Sequence, residues 1–154
     1  MSKGPSVKGN PLRISVYLLI PCYLFGDFII PKYPLLYIFN LLGVVGLVTS
    51  VYFFFSGFNI FKSHEENPRP KSKTKRLIKT GIFAYTRNPI YIAFVLFHFS
   101  MFLTFENVVY FITSIGIAIW INSYVIKAEE EYLLSEFSDE YQRYMSSVKR
   151  WIFF

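Results

Sequence analysis

Residues 89–126 read PIYIAFVLFHFSMFLTFENVVYFITSIGIAIWINSYVI, two apolar runs broken only at Glu106 and Asn107. Each run approaches the roughly 20 residues that an α-helix needs to cross a hydrocarbon core of about 30 Å. In lipid the backbone must satisfy its own hydrogen bonds, so such runs predict helices, and a two-residue polar break predicts a tight turn. Pro89 to Phe105 and Val108 to about Ile126 therefore read as a transmembrane helical hairpin.

Two further apolar runs lie upstream. Leu12 to Ile30 reads as a first span, in which Pro21 and Asp27 are expected to bend the helix or face protein. Pro31 and Pro34 then mark a turn, and a second span runs from about Leu35 to Phe61. Its Gly43, Gly46 and Ser50 offer a small-residue face on which another helix can approach closely. Of 154 residues, 53% are hydrophobic, 21% aromatic and only 17% charged, as four spans in one membrane-embedded domain over residues 1–154 would require.

The charged residues sit around these runs. Between Lys62 and Arg87 the chain is polar, with eight basic residues against Glu65 and Glu66, and Pro68 and Pro70 argue against a continuous helix there. The net charge of +6 thus reads as a topology signal toward membrane lipids and not as a nucleic-acid interface. The positive-inside rule puts this loop in the cytoplasm, and four spans bring Lys3, Lys8, Arg13 and the C-terminal segment to the same side. The short chain suits a bacterial or archaeal cell membrane better than the endoplasmic reticulum. From Lys127 the acidic residues share a segment with Leu133, Phe137, Tyr141, Tyr144, Val148 and Trp151 at spacings of three and four. That pattern predicts an amphipathic helix lying on the membrane or covering a cytosolic pocket. The fold expected is thus an all-α polytopic bundle of about four spans, with cytosolic elements at 62–88 and 127–154.

Soluble-enzyme signatures are missing: no glycine-rich phosphate loop, no Gly-x-Ser-x-Gly elbow, no Cys and His cluster. Cys22 lies in the first span and reads as packing, and His98 in the third span reads as either a functional group or a hydrogen-bonded core histidine. Two polar constellations stand at the cytosolic ends of the hairpin. In Thr80 to Tyr91, Pro89 can open a helix whose free N–H groups, with Arg87, suit an anion. Across the hairpin stand Glu129 and Glu130, which at a helix C-terminus would oppose the macrodipole and call for a cation or ligand hydroxyls. Mutual ion pairing with Arg87 explains the same residues without any ligand.

Taken together, Leu77-Ile78, Gly81, Phe83, Arg87-Asn88-Pro89-Ile90-Tyr91, Glu129-Glu130, Phe137, Tyr141, Tyr144 and Val148 follow a family pattern in order and spacing. That pattern is Leu-Val-x-x-Gly-x-Tyr-x-x-x-Arg-His-Pro-x-Tyr, a membrane hairpin, Glu-Glu, then Phe-Gly-x-x-Tyr-x-x-Tyr and a Val with a basic residue. The stretch from Ser72 to Phe154 thus resembles the C-terminal half of isoprenylcysteine carboxyl methyltransferases and related phospholipid methyltransferases. The resemblance implies S-adenosylmethionine at the cytosolic face, contacted by Lys75, Leu77, Ile78, Phe83, Asn88, Pro89, Tyr91, Glu129 and Glu130, with Arg87 and Glu130 as catalytic candidates. It implies a lipidic or prenylated acceptor: the carboxylate of an isoprenylcysteine or, alternatively, a phospholipid amine.

Asn88 stands where the pattern usually has His, and Val125 stands where the carboxyl methyltransferases carry a substrate-binding Arg. A likeness to membrane sterol reductases using NADPH is weaker, because Ile92, Ala93 and Phe94 replace the Gly-Glu expected after Tyr91. A non-enzymatic four-helix protein would account for the basic loop but not for the spaced motifs. The oligomeric state is not encoded in any of these features.

Overall fold

The computed structural model describes residues 4–152, which leaves Lys3 and Phe154 outside the described residues. Within them every regular element is helical: α1 (Pro11–Phe28), α2 (Tyr37–Ser63), a single 3₁₀ turn (Gly81–Ala84), α3 (Pro89–Phe105), α4 (Val108–Trp120), a π-helical turn (Ile121–Ile126) and α5 (Lys127–Ser147). Local chemistry sets the starts. Asn10 caps α1 by accepting from the Arg13 N–H at 3.3 Å, and proline occupies the first turn of both α1 and α3, where its missing N–H is harmless.

The connection at Glu106 and Asn107 is as tight as the sequence predicts. Glu106 takes a left-handed conformation with φ 57°, and Asn107 caps α4 by accepting from the Val109 N–H at 3.0 Å. The Glu106 carboxylate also accepts from the Leu35 N–H at 2.9 Å and from Asn40 Nδ2 at 3.2 Å, which ties the start of α2 to the same turn.

α2 lies along α3, and α1 lies chiefly against α4. A Cβ on Gly43 would come within 2.7 Å of the Thr104 backbone nitrogen, and one on Gly57 within 2.7 Å of Ile90, so the small residues of α2 set its close approach to α3. The opposite face of α2 is apolar and uncovered: Val45, Val48 and Tyr52 are exposed, and only 11% of its most apolar window is buried. Such a face suits hydrocarbon, as an all-α membrane bundle requires.

Among the described residues, two helices are long and apolar enough to cross a membrane, Tyr37–Ser63 and the continuous helix Val108–Ser147. The other two expected spans differ. α3 is apolar but has 17 residues, about 26 Å at 1.5 Å per residue, and α1 carries Arg13, Pro21 and Asp27. Asp27 faces protein as expected, paired with Lys32 at 3.1 Å and accepting from Asn107 at 3.3 Å. His98 is a satisfied core histidine, fully buried between Ser15 Oγ at 3.0 Å and Thr113 Oγ1 at 3.1 Å, and Cys22 packs beside the same Thr113.

The C-terminal amphipathic helix expected from the sequence is α5. α4 runs through the π turn into α5 without a break, because Ile121, Val125 and Ile126 are all buried and hold the chain helical where its polarity changes. The only non-helical residue inside α5 is Ser138, at φ 39° and ψ −114°. Val148 and Trp151 lie past the end of α5, so the buried stripe ends with Tyr141 and Tyr144.

Candidate active site

The start of α3 and the start of α5 face one another because the α3–α4 hairpin brings both to the same end of the bundle. Tyr91, in the first turn of α3, donates its hydroxyl hydrogen to Glu129 Oε1 at 2.7 Å. Tyr144 donates to the Phe83 carbonyl oxygen at 2.6 Å, and Phe83 stands edge-on to Phe61 of α2 with ring centroids 5.5 Å apart. Gly81, at φ 59° and directly under Ile60, permits the turn that carries Phe83 inward.

The polar loop between α2 and α3 is folded over this end by buried polar contacts. Glu66 is buried and accepts from the Lys75 N–H at 3.0 and 3.3 Å, while the Tyr132 hydroxyl accepts from the Thr74 N–H at 3.2 Å. An unpaired carboxylate would not be stable in such a position, and backbone donors supply its partners. Between loop, helices and Pro5 of the N-terminal segment lies a cavity that opens to solvent at its mouth.

Leu77, Ile78, Phe83, Arg87, Asn88, Pro89, Tyr91, Glu129 and Glu130 all line this cavity. Lys75 does not; its side chain is exposed and only its backbone N–H is engaged. Arg69, Arg76, Tyr132, Leu133, Tyr141 and Tyr144 line it as well and were not singled out as cofactor contacts from the sequence. Tyr132 lies one helical turn after Glu129, a spacing that identifies the same face once helicity through this segment is known.

The two glutamates have different environments. Glu130 accepts from Arg87 Nη2 at 2.8 Å and from Arg150 Nη2 at 2.5 Å and Nε at 3.1 Å, so two guanidinium groups bracket one carboxylate. Among the described residues Glu129 has no cation partner, only the Tyr91 hydroxyl. Desolvation pushes its carboxyl up to about 8, the Tyr91 hydrogen bond opposes that rise, and the neighbouring Glu130 charge adds to it. Burial likewise raises Tyr141, with Glu130 adding and Arg87 opposing, so its phenol stays protonated.

Two sequence expectations are corrected by this geometry. Glu129 and Glu130 are not at a helix C-terminus, since α5 continues to Ser147, and no macrodipole penalty calls for a ligand cation. Ion pairing compensates Glu130 instead. Arg87 is not free to greet an anion with open α3 N–H groups: Nη2 is on Glu130, Nη1 donates to the Met145 and Val148 carbonyls at 3.1 and 3.3 Å, and the Asn88 N–H is taken by Thr86 Oγ1 at 3.2 Å. The Asn88 amide reaches the Arg150 carbonyl at 2.9 Å, so this residue stitches the C-terminal segment to the start of α3. Arg150 itself was missed, although the basic residue after the Val of the pattern was its signal.

Over 32 residues, 21% of this chain, the sequence is 53% identical to an uncharacterized protein of Haemophilus influenzae, and the match covers 51% of that protein. The chain thus spans about half the length of the curated relative it matches. No solved structure matches it. Residues 28–140, which take in α2, α3, α4, the polar loop and both glutamates, match the phospholipid methyltransferases, and the chain belongs to the phospholipid methyltransferase family.

Proposed function

We propose that the protein is a multi-pass membrane methyltransferase that binds S-adenosylmethionine in the cavity between α3, α5 and the polar loop, on the cytosolic side with both termini. The observation that carries this reading is the division of the glutamate pair: Arg87 and Arg150 consume Glu130, while Glu129 is left facing the cavity with only a tyrosine hydroxyl. An ionisable carboxylate without a cation fits a ligand that brings positive charge and hydroxyls. The aromatic rings of Phe83, Tyr91 and Tyr132 offer flat apolar surface for a base and ring faces for a cation.

The donor supplies a methyl carbon already activated by a sulfonium. The work of this chain is then to align and to exclude water. Glu129 would hold ribose hydroxyls or the ammonium, Leu77, Ile78 and Pro89 would pack the apolar wall, and the folded loop closes the cavity from above. Glu130 and Arg87 touch each other, which makes them positioning residues that fix α5 against the start of α3. The acceptor is lipidic. Val125, fully buried among apolar residues, provides no fork for a carboxylate, which favours a phospholipid amine over a prenylcysteine carboxylate.

Calorimetric titration of detergent-purified protein with S-adenosylmethionine, S-adenosylhomocysteine and NADPH tests this. Saturable binding of the first two, weakened by Glu129→Gln, is the expected result. Binding of NADPH alone would replace the reading with a reductase, and binding of none would refute it.

A further inference from the structure

The segment ahead of α1 is folded into the bundle without regular structure of its own. Residues 4–10 form no helix or strand, and among the described residues no backbone–backbone hydrogen bond joins residues 4–9 to the rest of the chain. Two side chains hold them instead. Val7 is 3% exposed and belongs to the apolar core with Tyr91, Phe94, Ile117 and Ile121, while Pro5 is buried at the wall of the cavity. Ser6 and Lys8 are exposed, the in-and-out alternation of an extended strap laid over a groove.

The strap also meets the polar loop that covers the cavity. Gly4 lies against Lys71 and Ser72: a Cβ there would press on the Lys71 carbonyl oxygen and stand 3.2 Å from the Ser72 carbonyl carbon. Pro5 lines the cavity together with Pro68, Arg69 and Ser72 of that loop. At the other end Gly9, at φ 85°, turns the chain into α1. Val7 thus shares a core with Tyr91, the residue that holds Glu129, while three residues earlier the same strap rests on the loop. A segment held by two apolar side chains and no ladder of backbone bonds opens far below the cost of global unfolding. It also lies outside residues 28–140, so the family match assigns it no role.

We infer that residues 4–10 are a latch on the cavity: with Val7 seated they hold the polar loop closed, and release of Val7 opens the mouth for the ligand to enter and leave. That this ligand is S-adenosylmethionine rests on the methyltransferase reading; the latch does not. A latch that must open in both directions scales association and dissociation together and leaves affinity nearly fixed. A plain wall contact changes dissociation and affinity instead.

Binding and release of S-adenosylhomocysteine by immobilised full-length protein are timed by surface plasmon resonance. Val7→Ala removes two buried carbons from the seat, which should raise the open population, and with it both rate constants, about tenfold while Kd stays within about twofold. Gly4→Ala, which pushes the strap off the loop, should also raise both. Faster dissociation alone with a matching loss of affinity, or unchanged rates in either variant, would overturn the latch. Opening is read without any ligand by maleimide labelling in a Cys22→Ser background, since Cys22 is the one native cysteine. Val7→Cys should react at least about tenfold more slowly than the exposed Lys8→Cys, and adding Gly4→Ala should speed it. Equal labelling at the two positions would also overturn the latch. Slow labelling that Gly4→Ala accelerates, in a protein that binds no S-adenosylhomocysteine, would uphold the latch and sink the methyltransferase reading alone.

Discussion

Glu129→Gln isolates the one carboxylate of the cavity that lacks a cation. With the Glu129 carboxyl near 8, about one molecule in a hundred is ionised at pH 6 and about one in ten at pH 7. Forming the carboxylate then costs about 3 kcal/mol at pH 6 and about 1 kcal/mol at pH 7. A donor carrying positive charge requires that ionisation, so its affinity should rise about 100-fold from pH 6 to a plateau above pH 8, with close to one proton released per molecule bound below pH 7. The glutamine variant keeps a partner for the Tyr91 hydroxyl but has no proton to lose. Its affinity should be flat over the same range after the ligand's own titration is subtracted. Calorimetry at pH 6.5 in phosphate and in a buffer of high ionisation enthalpy reads the proton directly. Identical pH profiles and identical proton release in the two proteins would refute the reasoning.

The same carboxyl predicts a stability trend in the free protein. Its folded value lies above the ordinary 4.5, so between pH 4.5 and about 8 the folded chain holds a proton that the unfolded chain has lost. The stabilisation is fully present below that window and is lost across it, at up to about 1.4 kcal/mol per pH unit, and thermal melts of Glu129→Gln should lack this slope. Ser138 holds φ 39° and ψ −114°, a region native to glycine, at the place where the family pattern has Gly. Ser138→Gly should therefore stabilise the protein by about 1 kcal/mol in thermal melts, and a loss of stability would show that α5 is not strained there. Gly43→Ala should cost about 1–3 kcal/mol by forcing a methyl against Thr104, measured by the same melts. His98→Leu should also destabilise by about 1–3 kcal/mol, by orphaning Ser15 and Thr113, yet leave S-adenosylhomocysteine affinity unchanged.

Much of the architecture is legible along the chain because its determinants are local. Apolar length places α2, and the Glu106-Asn107 break places the hairpin turn. The glycines of α2 announce a close helix contact, and Pro89 marks the start of α3. The spaced motifs likewise bring Phe83, Tyr91 and Glu129 to one cavity, since a hairpin must return its two ends to one face.

Which charges pair is a different matter, since it depends on residues distant in sequence. Arg150 reaches Glu130 only because the chain after α5 turns back and is stitched to residues 86–88 through Arg87, Thr86 and Asn88. Composition and spacing present Glu129 and Glu130 as equivalent neighbours. Consecutive helical residues point about 100° apart, and the π turn before them sets which one meets the guanidinium groups. The sequence by itself therefore determined the helices, the hairpin and the set of residues at this end of the bundle. Only the tertiary structure decided that Glu130 is paired with two guanidinium groups and Glu129 with the Tyr91 hydroxyl, because pairing follows distance in space and desolvation follows enclosure, and neither is written in local order.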